Sequence, residues 1–175
     1  MQRTTSRRIV AFDTSFLIEM SKSKDSLTRR KIDHIIDSLI KDRAAIIIPA
    51  PVYAEFFVKP NEVKNEIYEL LSKSSALEIR PFDTLCGKIL SQKLSLILNK
   101  KQAEDNIKNR IKFDWMIGCI AHVNKAQEIF ACDKHLQNIC DHFSMKFINL
   151  VDMPDPAIGK QIPLLEGVPL ASRFS

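Results

Sequence analysis

Residues 9–18 read IVAFDTSFLI, and this stretch decides the fold class. Its apolar start predicts a short buried strand over residues 8–12 (RIVAF). Asp13 stands directly after that strand, and a carboxylate beside an apolar run is costly to desolvate unless a partner offsets the cost. The stretch therefore predicts a strand that carries an acidic side chain at its carboxyl end.

Three other acidic residues have similar apolar surroundings. Glu55 lies in IIIPAPVYAEFF, Asp114 in FDWMIGCIA and Asp133 in EIFACDKHL. Hard divalent cations such as Mg²⁺ and Mn²⁺ take carboxylate oxygens as ligands. Together with Asp13, these residues predict one shared acidic site for such a cation.

Each acid also has a simpler interpretation when it is taken alone. Asp114 could cap a helix, because the helix dipole favours an acid at the helix N-terminus. Asp13 and Asp133 could be turn residues at strand ends, and Glu55 could be a carboxylate on a helix face. The common setting and order of the four acids favour the shared site.

Strand and helix patterns alternate along the chain. The predicted strands cover 8–12, 44–48, 76–82, 128–132 and 145–150, and the predicted helices cover 26–42, 84–98, 113–124 and 134–142, with a further helix after a cap at Asn61. Strand 76–82 contains Pro81, which is typical of an edge strand or a linker. Apolar strands that alternate with helices predict a three-layer α/β/α sandwich with a central, mainly parallel sheet.

The order of these elements predicts where the acids meet. In such sheets, sites form beyond the carboxyl ends of the strands. Asp13 follows the first strand, Glu55 comes after the second, and Asp133 closes a later one. Asp114 is expected to open the helix that precedes Asp133. All four side chains can therefore reach the same edge of the sheet.

Length and composition indicate an ordinary globular protein. The chain has 175 residues, of which 45% are hydrophobic and 27% charged, and this fits one domain over residues 1–150. The prolines after Asp152 predict an irregular tail over 151–175. No apolar run approaches the roughly 18 residues of a membrane span, and no secretory signal is visible, so we expect a cytoplasmic protein with no membrane partner.

The net charge of +5 and the pI near 9.0 contrast with the acidic site. The basic excess must lie elsewhere, for example at Arg3, Arg7 and Arg8, and it suits a polyanionic partner. The alternative is that this charge only aids solubility.

Cys132, His135, Cys140 and His142 have a spacing that suggests zinc at first sight. The segment contains no CxxC pair, however, and Cys132 adjoins Asp133 at the end of an apolar strand. Buried free thiols are therefore the favoured interpretation of the cysteines.

Two other enzyme classes fit poorly. A haloacid-dehalogenase phosphatase needs a second Asp two positions after the first, where this chain has Ser15. A Rossmann or P-loop protein needs a glycine-rich turn, and the four glycines are not clustered. Gly118 instead predicts a close approach of its helix to the sheet.

The four acidic segments resemble the motifs of the PIN domain family of metal-dependent ribonucleases, which includes the VapC toxins. The resemblance covers roughly residues 8–150 in order, spacing and element type. It implies that Asp13, Glu55, Asp114 and Asp133 are the catalytic acids and metal ligands, and that Ser15 supports Asp13. Many members have Thr at the position of Ala131.

The resemblance also implies a function. We expect hydrolysis of RNA phosphodiester bonds with Mg²⁺ or Mn²⁺, a homodimer, and possible pairing with an antitoxin protein. Lys112 and Lys134 stand beside two of the acids and are candidate contacts for the RNA phosphates. The alternative is a catalytically weak RNA-binding or RNA-processing assembly protein that retains the acidic pocket.

Overall fold

A computed structural model describes residues 7–22, 27–58, 64–65, 67, 69, 76–98 and 105–159. Its strands are β1 (Ile9–Phe12), β2 (Ala45–Pro49), β3 (Leu77–Arg80), β4 (Glu128–Ala131) and β5 (Lys146–Asn149). Its helices are α1 (Thr14–Met20), α2 (Leu27–Lys41), α3 (Ala50–Phe57), α4 (Thr84–Leu98), α5 (Asp105–Val123), α6 (Gln137–His142) and α7 (Pro156–Gly159). Arg3 and the predicted cap Asn61 lie outside the described residues.

The strands form a parallel sheet in the order β3-β2-β1-β4-β5. The predicted parallel α/β sandwich is therefore confirmed. Strand β3 lies at the edge, where the loss of a backbone donor at Pro81 is tolerated.

Burial of the strands on both faces explains their continuous apolar sequences. Val10, Ala11 and Phe12 of β1 are almost fully buried, and all of β2 is buried. Because successive side chains point to opposite faces, both faces must be covered by helices. Phe12 and Ile48 share an apolar cavity with Leu17 of α1 and Ile36 of α2, so these two helices cover one face.

Helix α1 was not predicted. Asp13 caps it, with extended backbone dihedrals and a side chain that accepts a hydrogen bond from the backbone N–H of Ser15. The interpretation of Asp13 as a residue of a strand-end turn is thus right in geometry. The chain then enters a helix directly at Thr14, with Asp13 as its N-terminal cap.

The expectation that Asp114 opens a helix is wrong. Helix α5 begins at Asp105, so Asp114 lies in the middle of it and cannot be its N-terminal cap. Gly118 also packs differently from the prediction. A Cβ atom there would lie 2.3 Å from Ile139 Cγ2 and 3.4 Å from Phe143 Cε2, so the close approach is to α6 and its end and not to the sheet.

The segment after β5 is held against α2. Lys31 Nζ donates hydrogen bonds to the carbonyls of Leu150 and Val151 at 3.3 and 3.1 Å, and Arg30 lies 3.5 Å from Asp155. Residues 156–159 are helical, which corrects the prediction of an irregular tail there. Of the helices within the described ranges, none combines the length and apolar character needed to cross a bilayer.

Candidate functional site

All four predicted acids line one cavity of about 750 Å³ at the carboxyl edge of the sheet. Asp13 follows β1, Glu55 lies on α3, Asp114 lies on α5, and Asp133 follows β4. The remaining wall of the cavity is formed by Thr14, Ser15, Ile18, Ala54, Val58, Phe113, Ile117, His135 and Leu136. The topology thus brings together acidic residues up to 120 positions apart in sequence.

Ser15 fixes the Asp13 carboxylate. The hydroxyl of Ser15 donates to Asp13 Oδ2 at 2.7 Å, and the backbone N–H of Ser15 donates to the same oxygen at 3.1 Å. The hydroxyl also accepts a hydrogen bond from the backbone N–H of Cys132 at 2.9 Å. Ser15 therefore ties the end of β1 to the end of β4, next to Asp133.

Asp13 is only 8% exposed, and its burial raises the pKa of its carboxyl group above the ordinary value. The hydrogen bonds from Ser15 oppose this shift, and the nearby charge of Asp133 adds a smaller upward contribution. Burial favours the neutral form because the charged form loses its hydration. A cation placed against this carboxylate would stabilise the charged form.

Thr14 holds the Glu55 carboxylate. Its hydroxyl donates to Glu55 Oε2 at 2.6 Å, which joins α1 to α3 across the cavity. Thr14 is buried whereas Glu55 is exposed. The hydrogen bond therefore fixes the exposed Glu55 carboxylate to a buried residue of α1. Thr14 was not among the residues predicted from the sequence, although its position directly after Asp13 was the available signal.

Asp133 and Asp114 complete the acidic lining. Asp133 Oδ1 accepts a hydrogen bond from the backbone N–H of His135 at 3.0 Å, so the carboxylate is oriented by its own turn. Asp114 is half-buried, and α5 also contributes Phe113 and Ile117 to the cavity lining. The interpretation of Asp133 as a turn residue is compatible with its place at the cavity.

The two predicted phosphate contacts lie outside the cavity lining. Lys112 and Lys134 are both exposed. Lys134 Nζ is 3.9 Å from Asp152, a distance at which an exposed pair contributes little to stability.

Several apolar residues and one histidine line the cavity although they were not predicted from the sequence. Ile18 and Val58 are 43% and 72% exposed at the cavity, and half-buried Phe113 continues this apolar wall. His135 adds an exposed imidazole. None of these residues belongs to an acidic motif, so they can be assigned to the cavity only from the folded structure.

The cysteines are free thiols. Cys86, Cys119 and Cys140 are buried, and Cys132 is half-buried behind Asp13. Burial raises the pKa of Cys132 to about 12, with smaller contributions from the charges of Glu19 and Asp13. Cys132 is therefore a neutral thiol at neutral pH, as expected for a buried free cysteine.

The donor set of the cavity suits a hard cation. Its charged groups are carboxylates, which Mg²⁺ and Mn²⁺ prefer. Within the described ranges, no three His, Cys, Asp or Glu side chains are arranged to hold a metal ion as they stand. Mg²⁺ commonly binds through one or two carboxylates and keeps several waters, so the residues fit such a site without a closed cage.

Two solved structures are similar to this chain. One is the crystal structure of VapBC2 from Rickettsia felis bound to a DNA fragment from their promoter; the TM-score is 0.56 and the identity 17%, over 81% of this chain and 98% of that chain. The other is DNA-bound VapBC from Salmonella typhimurium, with a TM-score of 0.55 and 15% identity, over 82% and 98%.

Sequence comparison alone gives no relative. No family model matches the chain, and the curated proteins contain no match. At the identities of the two structures, the similarity speaks for the fold. The chain therefore has the fold of VapC-like PIN domains, as the sequence resemblance implied.

Proposed function

We propose that this protein is a divalent-metal-dependent endoribonuclease that hydrolyses RNA phosphodiester bonds in the acidic cavity. The observation that carries the proposal is the convergence of Asp13, Glu55, Asp114 and Asp133 on one cavity. These residues come from four separate segments, and the burial of a charged carboxylate such as Asp13 is unfavourable without a compensating role.

The residues of the chain have distinct tasks in this proposal. Asp13, Asp114 and Asp133 would hold the cation, and Glu55 would do so directly or through water. A bound divalent cation supplies Lewis acidity toward the phosphate and lowers the pKa of a bound water. Ser15 orients Asp13, and Thr14 orients Glu55. The exposed apolar side chains of Ile18 and Val58 offer a surface for the sugar or base next to the scissile phosphate.

A second candidate is a catalytically weak RNA-binding or assembly protein with the same cavity. It is favoured by the absence, within the described ranges, of a ready arrangement of three metal ligands. Such a protein would bind RNA without turnover in either Mg²⁺ or Mn²⁺.

Cleavage of labelled RNA by the purified protein decides between the two candidates. The nuclease proposal predicts multiple turnovers with Mg²⁺ or Mn²⁺ and complete loss of cleavage in EDTA. Binding without turnover over a range of metal concentrations would instead establish the second candidate. A preparation of the Asp133→Asn variant, purified in parallel, controls for contaminating nucleases.

We also propose that the protein acts as the toxin of a toxin–antitoxin pair and forms a homodimer. The support is the fold shared with the VapBC structures. Light scattering should give the mass of two chains at micromolar concentration. Growth arrest on expression, relieved by the product of an adjacent gene, would support the toxin role, and normal growth with an active nuclease would contradict it.

A further inference from the structure

The edge of the sheet opposite the cavity carries a row of exposed cations. We call Arg7, Arg43 and Lys125 the amino-edge row; Lys41 and Lys146 flank it. Their segments are joined by backbone hydrogen bonds of 2.8 Å, from Ala45 N to Arg8 O, from Gln127 N to Ile9 O and from Lys146 N to Gln127 O. The row therefore runs across the starts of adjacent strands, which lie about 4.8 Å apart.

The positive charge of the row is not neutralised locally. Arg8 binds the two neighbouring carboxylates, Asp42 at 2.8 Å and Glu128 at 2.5 Å. Arg7 donates instead to the backbone carbonyls of Arg43 and Ala44, at 3.0 and 3.4 Å. Among the described residues, the three members of the row form no ion pair. The row thus presents charge to solvent that an anion can use.

Two members of the row occupy backbone positions that favour glycine. Arg43 has φ 51° and Lys125 has φ 61°, and each is the second residue after a helix, α2 and α5 respectively. Helices often end with glycine at this left-handed position. Ser144, with φ 54°, has the same place after α6. The helix dipole favours a cation near the end of a helix. It does not explain why the cationic residue has a left-handed backbone conformation.

We propose that the amino-edge row binds the phosphate backbone of RNA outside the cavity. The identification of RNA rests on the proposed function, whereas phosphate recognition rests on the charges of the row. The row and the cavity lie at opposite ends of the strands, and a strand of four residues spans about 13 Å. Because helices cover both faces of the sheet, an RNA must pass around the outside of the helices to contact both. Ala44, Ala126 and Met145 of the same turns are buried, whereas Ile40 in the turn before Arg43 is exposed. One exposed isoleucine is far less than the apolar face with which a peripheral protein enters a membrane.

The double variant Arg43→Gly/Lys125→Gly tests the proposal. Glycine adopts the left-handed conformation without strain, so the variant should fold and melt near the wild-type temperature. Binding of a single-stranded RNA of about 30 nucleotides is measured by fluorescence anisotropy in EDTA over a range of salt concentrations. Each lost phosphate contact on a single strand should reduce the slope of log K against log salt by about 0.7, so we expect a reduction of about 1.4.

Two matched controls separate charge from backbone. Ser144→Gly makes the same backbone change without removing charge, and Lys88→Gln removes an exposed charge from α4, away from the row. Both should keep the wild-type slope. An unchanged slope in the double variant would overturn the proposal, as would binding to anionic lipid vesicles with none to RNA.

The binding measurement does not depend on catalysis. In EDTA no cleavage is expected, so failure of the nuclease proposal leaves the slope measurement valid. Conversely, an active nuclease whose RNA affinity is insensitive to the double variant would retain the proposed function and lose the amino-edge row.

Discussion

The hydroxyl of Ser15 joins the carboxylate of Asp13 to the backbone of Cys132. It donates to Asp13 Oδ2 at 2.7 Å and accepts from Cys132 N at 2.9 Å. One hydroxyl has a single proton and two acceptor sites, so both bonds form together. The position of Asp13 is therefore coupled to the turn that carries Asp133.

Ser15→Ala should weaken the site and the fold. It leaves the Cys132 N–H without its partner, which costs about 1–3 kcal/mol, and frees the Asp13 carboxylate. Loss of such a supporting bond typically lowers metal affinity or activity about 10- to 100-fold. Mn²⁺ titration calorimetry and RNA cleavage measure the effect. Ser91→Ala, which removes an exposed helix hydroxyl, is the control, and equal behaviour of the two variants would contradict the role of Ser15.

Thr14 should act only through Glu55. Thr14→Val removes the 2.6 Å hydrogen bond and should slow cleavage by about 10-fold, whereas Thr14→Ser keeps the hydroxyl and should restore most of the rate. In a Glu55→Ala background, Thr14→Val should have little further effect. Independent, multiplicative losses in this double-mutant cycle would show that Thr14 does not position Glu55.

The raised pKa of Asp13 predicts a pH-dependent stability. The folded state binds the proton of Asp13 more tightly than the unfolded state does. The free energy of unfolding should therefore fall as pH rises above the ordinary pKa of an Asp, about 4, and through the raised pKa of Asp13. In EDTA, Asp13→Asn should therefore melt at or above the wild-type temperature at pH 7, and this advantage should shrink toward pH 4.

Added metal should reverse the order of the melting temperatures of the wild type and Asp13→Asn. Mn²⁺ at about 100 times its dissociation constant should stabilise the wild type by about 2.7 kcal/mol and Asp13→Asn by less. Calorimetric melting curves with EDTA and with Mn²⁺ give both quantities. An equal metal-induced shift in the two proteins would exclude Asp13 as a ligand.

The contact between α5 and α6 should not tolerate a methyl group. A Cβ at Gly118 would lie 2.3 Å from Ile139 Cγ2, so Gly118→Ala should destabilise the protein by about 1–3 kcal/mol. Gly87 lies within helix α4, and a Cβ there would be 3.7 Å from Phe82, an ordinary contact distance. Gly87→Ala should therefore stabilise the protein by about 0.5–1 kcal/mol. Urea unfolding compares the two. Similar stability of both variants would contradict the packing at Gly118.

The strands and their burial on both faces could be predicted from the sequence. IVAF and AIII are continuous apolar runs of the length of a short strand, and strands covered on both faces have such runs. Asp13, Glu55 and Asp133 follow those strands, so the carboxyl edge was predictable as their meeting place. Burial is the main cause of the raised pKa of Asp13, and the charge of Asp133 adds a smaller contribution.

The start of α5 and the existence of α1 could not be predicted in the same way. In the polar sequence before Phe113, Ile107 and Ile111 have helical spacing but are too few to decide between helix and loop. The apolar residues of SFLI continue a strand-like run, although Asp13 caps a helix there. The bond between Thr14 and Glu55 joins residues 41 positions apart and depends on how α1 packs against α3. Such contacts are properties of the assembled fold and leave no local pattern.

Cleavage rates of four single variants test most directly whether the four carboxylates form one metal-dependent site. Asp13→Asn, Asp114→Asn, Asp133→Asn and Glu55→Gln are compared with Asp141→Asn, which changes an exposed carboxylate outside the cavity lining. Asp13→Asn and Asp133→Asn should each lose at least about 100-fold in rate with Mn²⁺, because a missing ligand misplaces the metal, while Asp141→Asn keeps the wild-type rate. Wild-type activity in Asp13→Asn or Asp133→Asn would contradict the account.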